Sequence, residues 1–349
     1  MDATANPVPA TGAGDDELTT MVKADLHVHL VGSAAPHTVA ALASRHVDSG
    51  VVPADVSRLR SFYAFRDFAH FLDVYTAVSR LVRTPDDLVA LAAGLAADMR
   101  AQGTRYAEVT VTPVSHVKAG IPADELASAL DAGAVAARAE GVVLAWVYDI
   151  SGRDGREGAR LTLDAALRHP PGALIGFGLG GPEAEVRRAS FRDEFAAARA
   201  AGLHSVPHAG ESTGPDEVWA ALEDLGAERI GHGIAAASDP RLLDRLRQDQ
   251  VTLEVCPSSN VATGVVPALD LHPLPRLLAA GVPVVLGSDD PPMFDTTLLD
   301  EYRRARDHLG LTISQLRALA RASITASFAP PALKRELLSA HDEQVVGPA

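Results

Sequence analysis

His27 and His29 stand two apart in the run ADLHVHL. In an extended strand that spacing aims both imidazoles at one face, while Leu26, Val28 and Leu30 take the other. Two imidazoles converging from one strand suit a borderline metal such as zinc. An isolated pair of this kind more often consists of ordinary hydrogen-bonded histidines, so the case rests on what else the chain supplies. It supplies His208, followed by Ala209, Gly210 and Glu211; His232 inside a Gly-His-Gly triplet; and the adjacent Asp289 and Asp290. Read separately, the aspartates would cap a helix before Pro291 and the triplet would be a tight turn. Read together, they are two kinds of metal ligand and two kinds of proton-transfer group.

Positioning such groups falls to a repeated pattern in which short β-branched runs alternate with longer Ala- and Leu-rich stretches of helical spacing. Eight runs read as strands: ADLHVHL from Ala24, RYAEVTVTP from Arg105, VVLAWVYDI from Val142, ALIGFGLG from Ala173, LHSVPHA from Leu203, RIGHGI from Arg229, VTLEVCP from Val251 and VPVVLGSD from Val282. Most are continuously apolar, as in a parallel sheet covered by helices. Thr84, Pro85 and Asp87 open one of the intervening helices with a cap, a first-turn proline and a capping-box acid, and Gly103 closes it.

Eight such units predict an α/β fold of the (β/α)8 TIM barrel type, with extra helices in the long segment between Val31 and Thr104. The glycine-rich first turn of a doubly wound sheet is absent. Every chemistry-bearing residue above lies near the C-terminal end of its strand, where barrel active sites are assembled. The expected organisation is a flexible tail over 1–22, one catalytic barrel domain over 23–335 and a C-terminal tail over 336–349.

The chain has 349 residues, 47% of them hydrophobic and 22% charged, and a net charge of −14. That charge disfavours nucleic acid and anionic membranes as partners. Cys256, the single cysteine, cannot form an internal disulfide and is expected to be a small buried hydrophobe. Together with the lack of a signal-peptide pattern or a membrane-spanning run, it points to the cytoplasm.

The ordered series HVHLVGS, YAEVTVTP, GFGLGGPE, PHAGES, RIGHGI, LEVCPSSN and GSDDPPMF resembles the motif series of the adenosine deaminase family, over roughly residues 23 to 330. The resemblance implies a zinc-dependent barrel that deaminates an adenine nucleoside, replacing the 6-amino group by an oxo group. Motif by motif, it implies one zinc per chain held by His27, His29, His208 and Asp289. Glu211 matches the acid that protonates the ring nitrogen, His232 the histidine that holds and helps deprotonate the attacking water, and Asp290 the partner of ring N7. Gly181 would offer its N–H to N3.

Two other zinc chemistries fit less well. A two-metal amidohydrolase bridges its metals with a modified lysine at the fourth strand, and Lys23, Lys118 and Lys334 all lie elsewhere. Cytidine-type deaminases need a PCxxC that one cysteine cannot make. A catalytically dead scaffold is disfavoured by the intact set of His, Glu and Asp residues.

Three positions depart from the usual family pattern: Val31 and Gly178 where acids are common, and Thr110 where an arginine is common. Val31 removes an acceptor expected at the ribose 5′-hydroxyl. With an aromatic lid that includes Phe62 and Phe65, and with Arg60 and Arg66 to hold a carboxylate, the departure points to a nucleoside carrying an acidic aryl group at the 5′ position. Aminodeoxyfutalosine, an intermediate of one menaquinone route, is the first expectation and adenosine the alternative.

Overall fold

The structure is a computed structural model that describes residues 13–46 and 50–344. β1 (Lys23–His29), β2 (Thr104–Val111), β3 (Val143–Ser151), β4 (Leu174–Gly180) and β5 (His204–Ser205) pair in parallel in that order. β6 (His208–Ala209), β7 (Arg229–His232), β8 (Thr252–Val255) and β9 (Val284–Leu286) form a second parallel set. The run expected as one fifth strand is thus in two pieces, because Pro207 between them has no N–H to give a ladder.

The backbone still passes from one set to the other. Val206 donates to Phe177 O at 3.0 Å, and Gly231 donates to Pro207 O at 3.0 Å. On the opposite side, Asp289 N donates to His27 O at 2.8 Å and His29 N to Asp289 O at 2.9 Å. Eight strand positions therefore close into the expected (β/α)8 barrel.

The alternation read from β1 holds. Leu26 and Val28 sit in apolar clusters, whereas Asp25, His27 and His29 make polar contacts in the interior. The N-terminal segment is not a tail throughout: α1 (Ala13–Thr20) packs with Leu18 fully buried. The Lys23 ammonium binds the carbonyl oxygens of Leu18, Met21 and Gln102 at 3.0, 2.8 and 2.6 Å. Its small and acidic composition hid a helix that needs only one or two apolar anchors and a cation at its end. Residues 1–12 lie outside the described residues.

At the other terminus a helix over Pro331–Glu343 runs through the expected boundary at 335. Its Leu337 is buried, and its His341 Nδ1 lies 2.7 Å from Val22 O. Residues 345–349 lie outside the described residues.

The long segment after β1 holds four helices, α2 (Pro36–Arg45), α3 (Val56–Phe62), α4 (Phe68–Ser79) and α5 (Pro85–Ala101). The last begins with the expected Thr84–Asp87 capping box. α4 starts afresh at Asp67, whose carboxylate accepts from His70 N at 2.8 Å.

Candidate active site

His27 and His29 from β1, His208 from β6 and Asp289 just after β9 converge at the C-terminal mouth of the barrel. His29 Nε2 lies 3.2 Å from His208 Nε2 and 3.3 Å from Asp289 Oδ1, and His27 Nε2 lies 3.7 Å from the same carboxylate oxygen. His27 Nε2 and His208 Nδ1 are buried with no hydrogen-bond partner. Such orphaned groups cost about 1–3 kcal/mol each unless something else satisfies them. Three imidazoles and a carboxylate with unpaired nitrogens are a donor set that fits zinc.

Close approach is built into the backbone. A Cβ at Gly231 would stand 2.6 Å from His27 Cε1 and 3.2 Å from His208 Cγ, so only glycine lets the two rings lie there. His232 and Asp289 adopt φ of 58° and 61°, the left-handed region that non-glycine residues enter at a cost of about 1–3 kcal/mol. The surroundings hold them in it.

Further groups fix the orientation of each ring. His27 Nδ1 meets Glu254 Oε2 at 2.9 Å, Arg229 Nε donates to Glu254 Oε1 at 2.6 Å, and Arg229 also pairs with Glu108. His232 Nδ1 lies 3.3 Å from Asn260 Nδ2, and Asn260 Oδ1 lies 3.1 Å from His272 Nε2. Glu183 Oε2 accepts from the backbone N–H groups of Glu211, Ser212 and Thr213 at 3.1, 3.0 and 3.1 Å. Arg188, fully buried, donates to His208 O at 2.8 Å and Gly181 O at 3.1 Å.

Sequence reasoning missed these supports. Glu254 and Glu183 carried a visible signal, as acids inside or beside strand motifs that are otherwise apolar or glycine-rich.

The electrostatics separate the acids. Burial, then the Asp289 and Glu183 charges, push the Glu211 carboxyl well above the usual range, and burial and Asp289 do the same to Asp290. Burial also raises Asp289, but His232, His27 and His29 outweigh it and hold Asp289 below its ordinary value. Burial draws His29 down to about 4, His232 down to about 3 and His208 well below the ordinary range. His27 differs from the other three: burial lowers it, but Glu254 and Asp289 outweigh burial and raise it. Glu211, the acid pushed upward by burial, faces His232 Nε2 at 3.7 Å.

A cavity of about 710 Å³, its open mouth included, sits over this cluster. His29, His208, Glu211, His232, Asp289, Asp290 and Gly181 line it; His27 lies beneath. Val31, Phe62, Phe65 and Arg66 do not line it, which corrects the expected lid. Val31 is buried in an apolar cluster, Phe65 packs edge-on to Phe71 at 5.3 Å and Phe294 at 5.8 Å, and Phe62 lies against Tyr63 at 6.0 Å. Arg60 and Arg66 are exposed. Of the aromatic run expected as a lid, Phe62, Tyr63, Phe65, Phe68, Phe71 and Tyr75, the three on α4, Phe68, Phe71 and Tyr75, line the cavity with Leu72, and the arginine among its lining residues is Arg153.

A family model for adenosine deaminase matches residues 22–344. The chain belongs to the adenosine deaminase family. It is 51% identical over 311 residues to the aminodeoxyfutalosine deaminase of Streptomyces coelicolor, covering 88% of this chain and 80% of that one. It is 48% identical to the aminodeoxyfutalosine deaminase of Streptomyces avermitilis, covering 92% and 90%. Among solved structures, an adenine deaminase from Arthrobacter aurescens superposes with a TM-score of 0.86 at 32% identity, over 94% of this chain and 100% of that one. The protein is accordingly a hydrolytic deaminase. Cys256 is buried, and among the described residues no helix is long and apolar enough to cross a membrane.

Proposed function

We propose that this deaminase converts the 6-amino group of aminodeoxyfutalosine to an oxo group with release of ammonia, using one zinc ion per chain. The observation that carries the reading is one cavity joining two unlike halves: a histidine and aspartate cluster with unpartnered ring nitrogens beside Glu211, whose carboxyl burial pushes upward, and a wall of Phe68, Phe71 and Tyr75 with Arg153. The relatives named for this substrate support it.

His27, His29, His208 and Asp289 would hold the zinc, which supplies Lewis acidity for making water a nucleophile at neutral pH. Glu211, kept uncharged by its burial, donates a proton to the ring nitrogen next to C6 and so makes that carbon electrophilic. His232, an unprotonated imidazole in its buried place, accepts a proton from the attacking water. Asp290, with its Oδ1 buried and unpartnered, holds a proton for ring N7, and the Gly181 N–H serves N3. The α4 aromatics cover the aryl group at the 5′ end, where each Å² of apolar area removed from water contributes about 25 cal/mol.

The test is a panel of adenine, adenosine, 5′-deoxyadenosine, 5′-methylthioadenosine and aminodeoxyfutalosine, assayed for loss of the amino group alongside metal analysis. Aminodeoxyfutalosine should have the highest kcat/KM with about one zinc per chain. Adenosine as the best substrate would replace this reading with plain adenosine deamination.

A further inference from the structure

The ends of β2 and β3 present Thr112, Asp149 and Ser151 to the cavity, followed by Arg153. A purine whose amino group lies at the histidine cluster and Glu211 must place its sugar against the remaining lining, which is this wall and α4. Asp149 is the only acid on this wall among the described residues lining the cavity. It is 4% exposed, and no ion pair engages it among the described residues. Arg153 pairs instead with Asp73 on α4 at 2.9 Å.

One oxygen of Asp149 is committed: Oδ1 accepts the Thr112 hydroxyl at 2.6 Å, and Tyr75 lies beside Thr112. The other lies beside β4. A Cβ on Gly180 would be 3.0 Å from Asp149 Oδ2, and one on Gly178 would be 3.2 Å from Asp149 Cβ. Gly178, where the usual pattern has an acid, is directly paired with Asp149 in the sheet. Two glycines on β4 therefore leave the room that a carboxylate from β3 occupies. No other described residue is seen to donate to Oδ2, which leaves it able to accept from a bound molecule.

We propose that Asp149 reads the sugar of the substrate, accepting a hydrogen bond from one of the ribose 2′- and 3′-hydroxyls through Oδ2. The inference rests on the reading of the substrate as an adenine nucleoside. It makes Asp149 the residue that separates ribosides from free adenine and from deoxyribosides. An acidic 5′ substituent passes on the Arg153 side of the same wall, where the guanidinium can pair with it.

The experiment compares kcat/KM for adenosine, 2′-deoxyadenosine, 3′-deoxyadenosine and 2′,3′-dideoxyadenosine, with free adenine as a fifth arm, in the zinc-loaded protein and its variants. Asp149→Ala should lower the adenosine to dideoxyadenosine ratio about 3- to 10-fold, the worth of one hydrogen bond, through KM more than kcat. The monodeoxy arms show which hydroxyl is read. Asp149→Asn has the same shape but a single oxygen, which the Thr112 hydroxyl claims; with an NH2 in the place of Oδ2 it should lower the ratio as Asp149→Ala does while keeping zinc content and fold, which guards against simple misfolding of the alanine variant.

Thr112→Val removes only the Thr112 hydroxyl and should leave the ratio in place. If Thr112→Val collapses the ratio as far as Asp149→Ala does, or if Asp149→Ala leaves it unchanged, Asp149 is a strut for Tyr75 and the inference is wrong. A wild-type protein that deaminates free adenine and no nucleoside would overturn the substrate reading itself, a different result from an intact riboside preference that ignores Asp149.

Discussion

On the side of the cavity built by β1, β6, β7 and the segment after β9, each reactive group is gripped by a buried neighbour. His27 has Glu254, His232 has Asn260, and the backbone at Glu211 has Glu183. On the side built by α4 and the ends of β2 and β3 the ties are fewer and wetter: the Arg153–Asp73 pair is 36% and 71% exposed. On the proposed function, these ties would hold the first side in place during proton transfer, as preorganised electrostatics require. The second can be retuned without disturbing the chemistry. Damage to the first should therefore reduce turnover of every substrate, and damage to the second should redistribute activity among substrates.

The largest effect should come from the metal. Dialysis against a chelator, or His208→Ala, should remove the ion and with it activity on all nucleosides, and zinc should restore only the dialysed wild type. Next, Glu211→Gln should retain zinc by elemental analysis yet lose about 10²- to 10⁴-fold in kcat, because an amide has no carboxyl proton to give. A near-normal kcat in a zinc-replete variant would remove Glu211 from the proton path.

Glu254→Gln should weaken zinc binding by about 10- to 100-fold, measured by competition with a chromogenic chelator, since it loosens the partner that orients His27. The smallest effect is expected at Arg153. Arg153→Met should raise KM for aminodeoxyfutalosine by only about 2- to 5-fold, the scale of a half-exposed ion pair, and leave KM for adenosine unchanged. A uniform loss across substrates would erase the distinction between the two sides.

The two sides also differed in how far they could be read from sequence. At the catalytic side the information is local. Alternation in β1 places His27 and His29 together, and a residue at a strand end needs no further coordinates to be assigned to the mouth of a barrel. The supports were hidden because each depends on pairing between strands remote in sequence, as Glu254 on β8 with His27 on β1.

At the substrate side, spacings of three in the aromatic run from Phe62 to Tyr75 put several of the rings on one helical face. The run is the end of α3, a loop and the start of α4, so the helical phase is reset between them. Asp67 was the available signal: an N-cap immediately before Phe68 restarts the count and selects Phe68, Phe71 and Tyr75 over Phe62 and Phe65. Val31 illustrates the same limit. Its motif position suggested a cavity residue, but a carboxylate there would be buried among apolar side chains.

The division of the barrel into a five-stranded and a four-stranded set has a mechanical consequence. His27 and His29 belong to the larger half, while His208 and Asp289 stand on the smaller one, beside the Pro207 interruption and the Val28–Asp289 bridge respectively. A cation held by all four, as proposed above, would be a clasp across both seams. Its binding energy adds to cohesion between half-barrels and little to either half alone. Without it, amide exchange should quicken first along 206–210 and 287–290, with the helices outside still closed, so that the catalytic centre doubles as the fastener of its own scaffold.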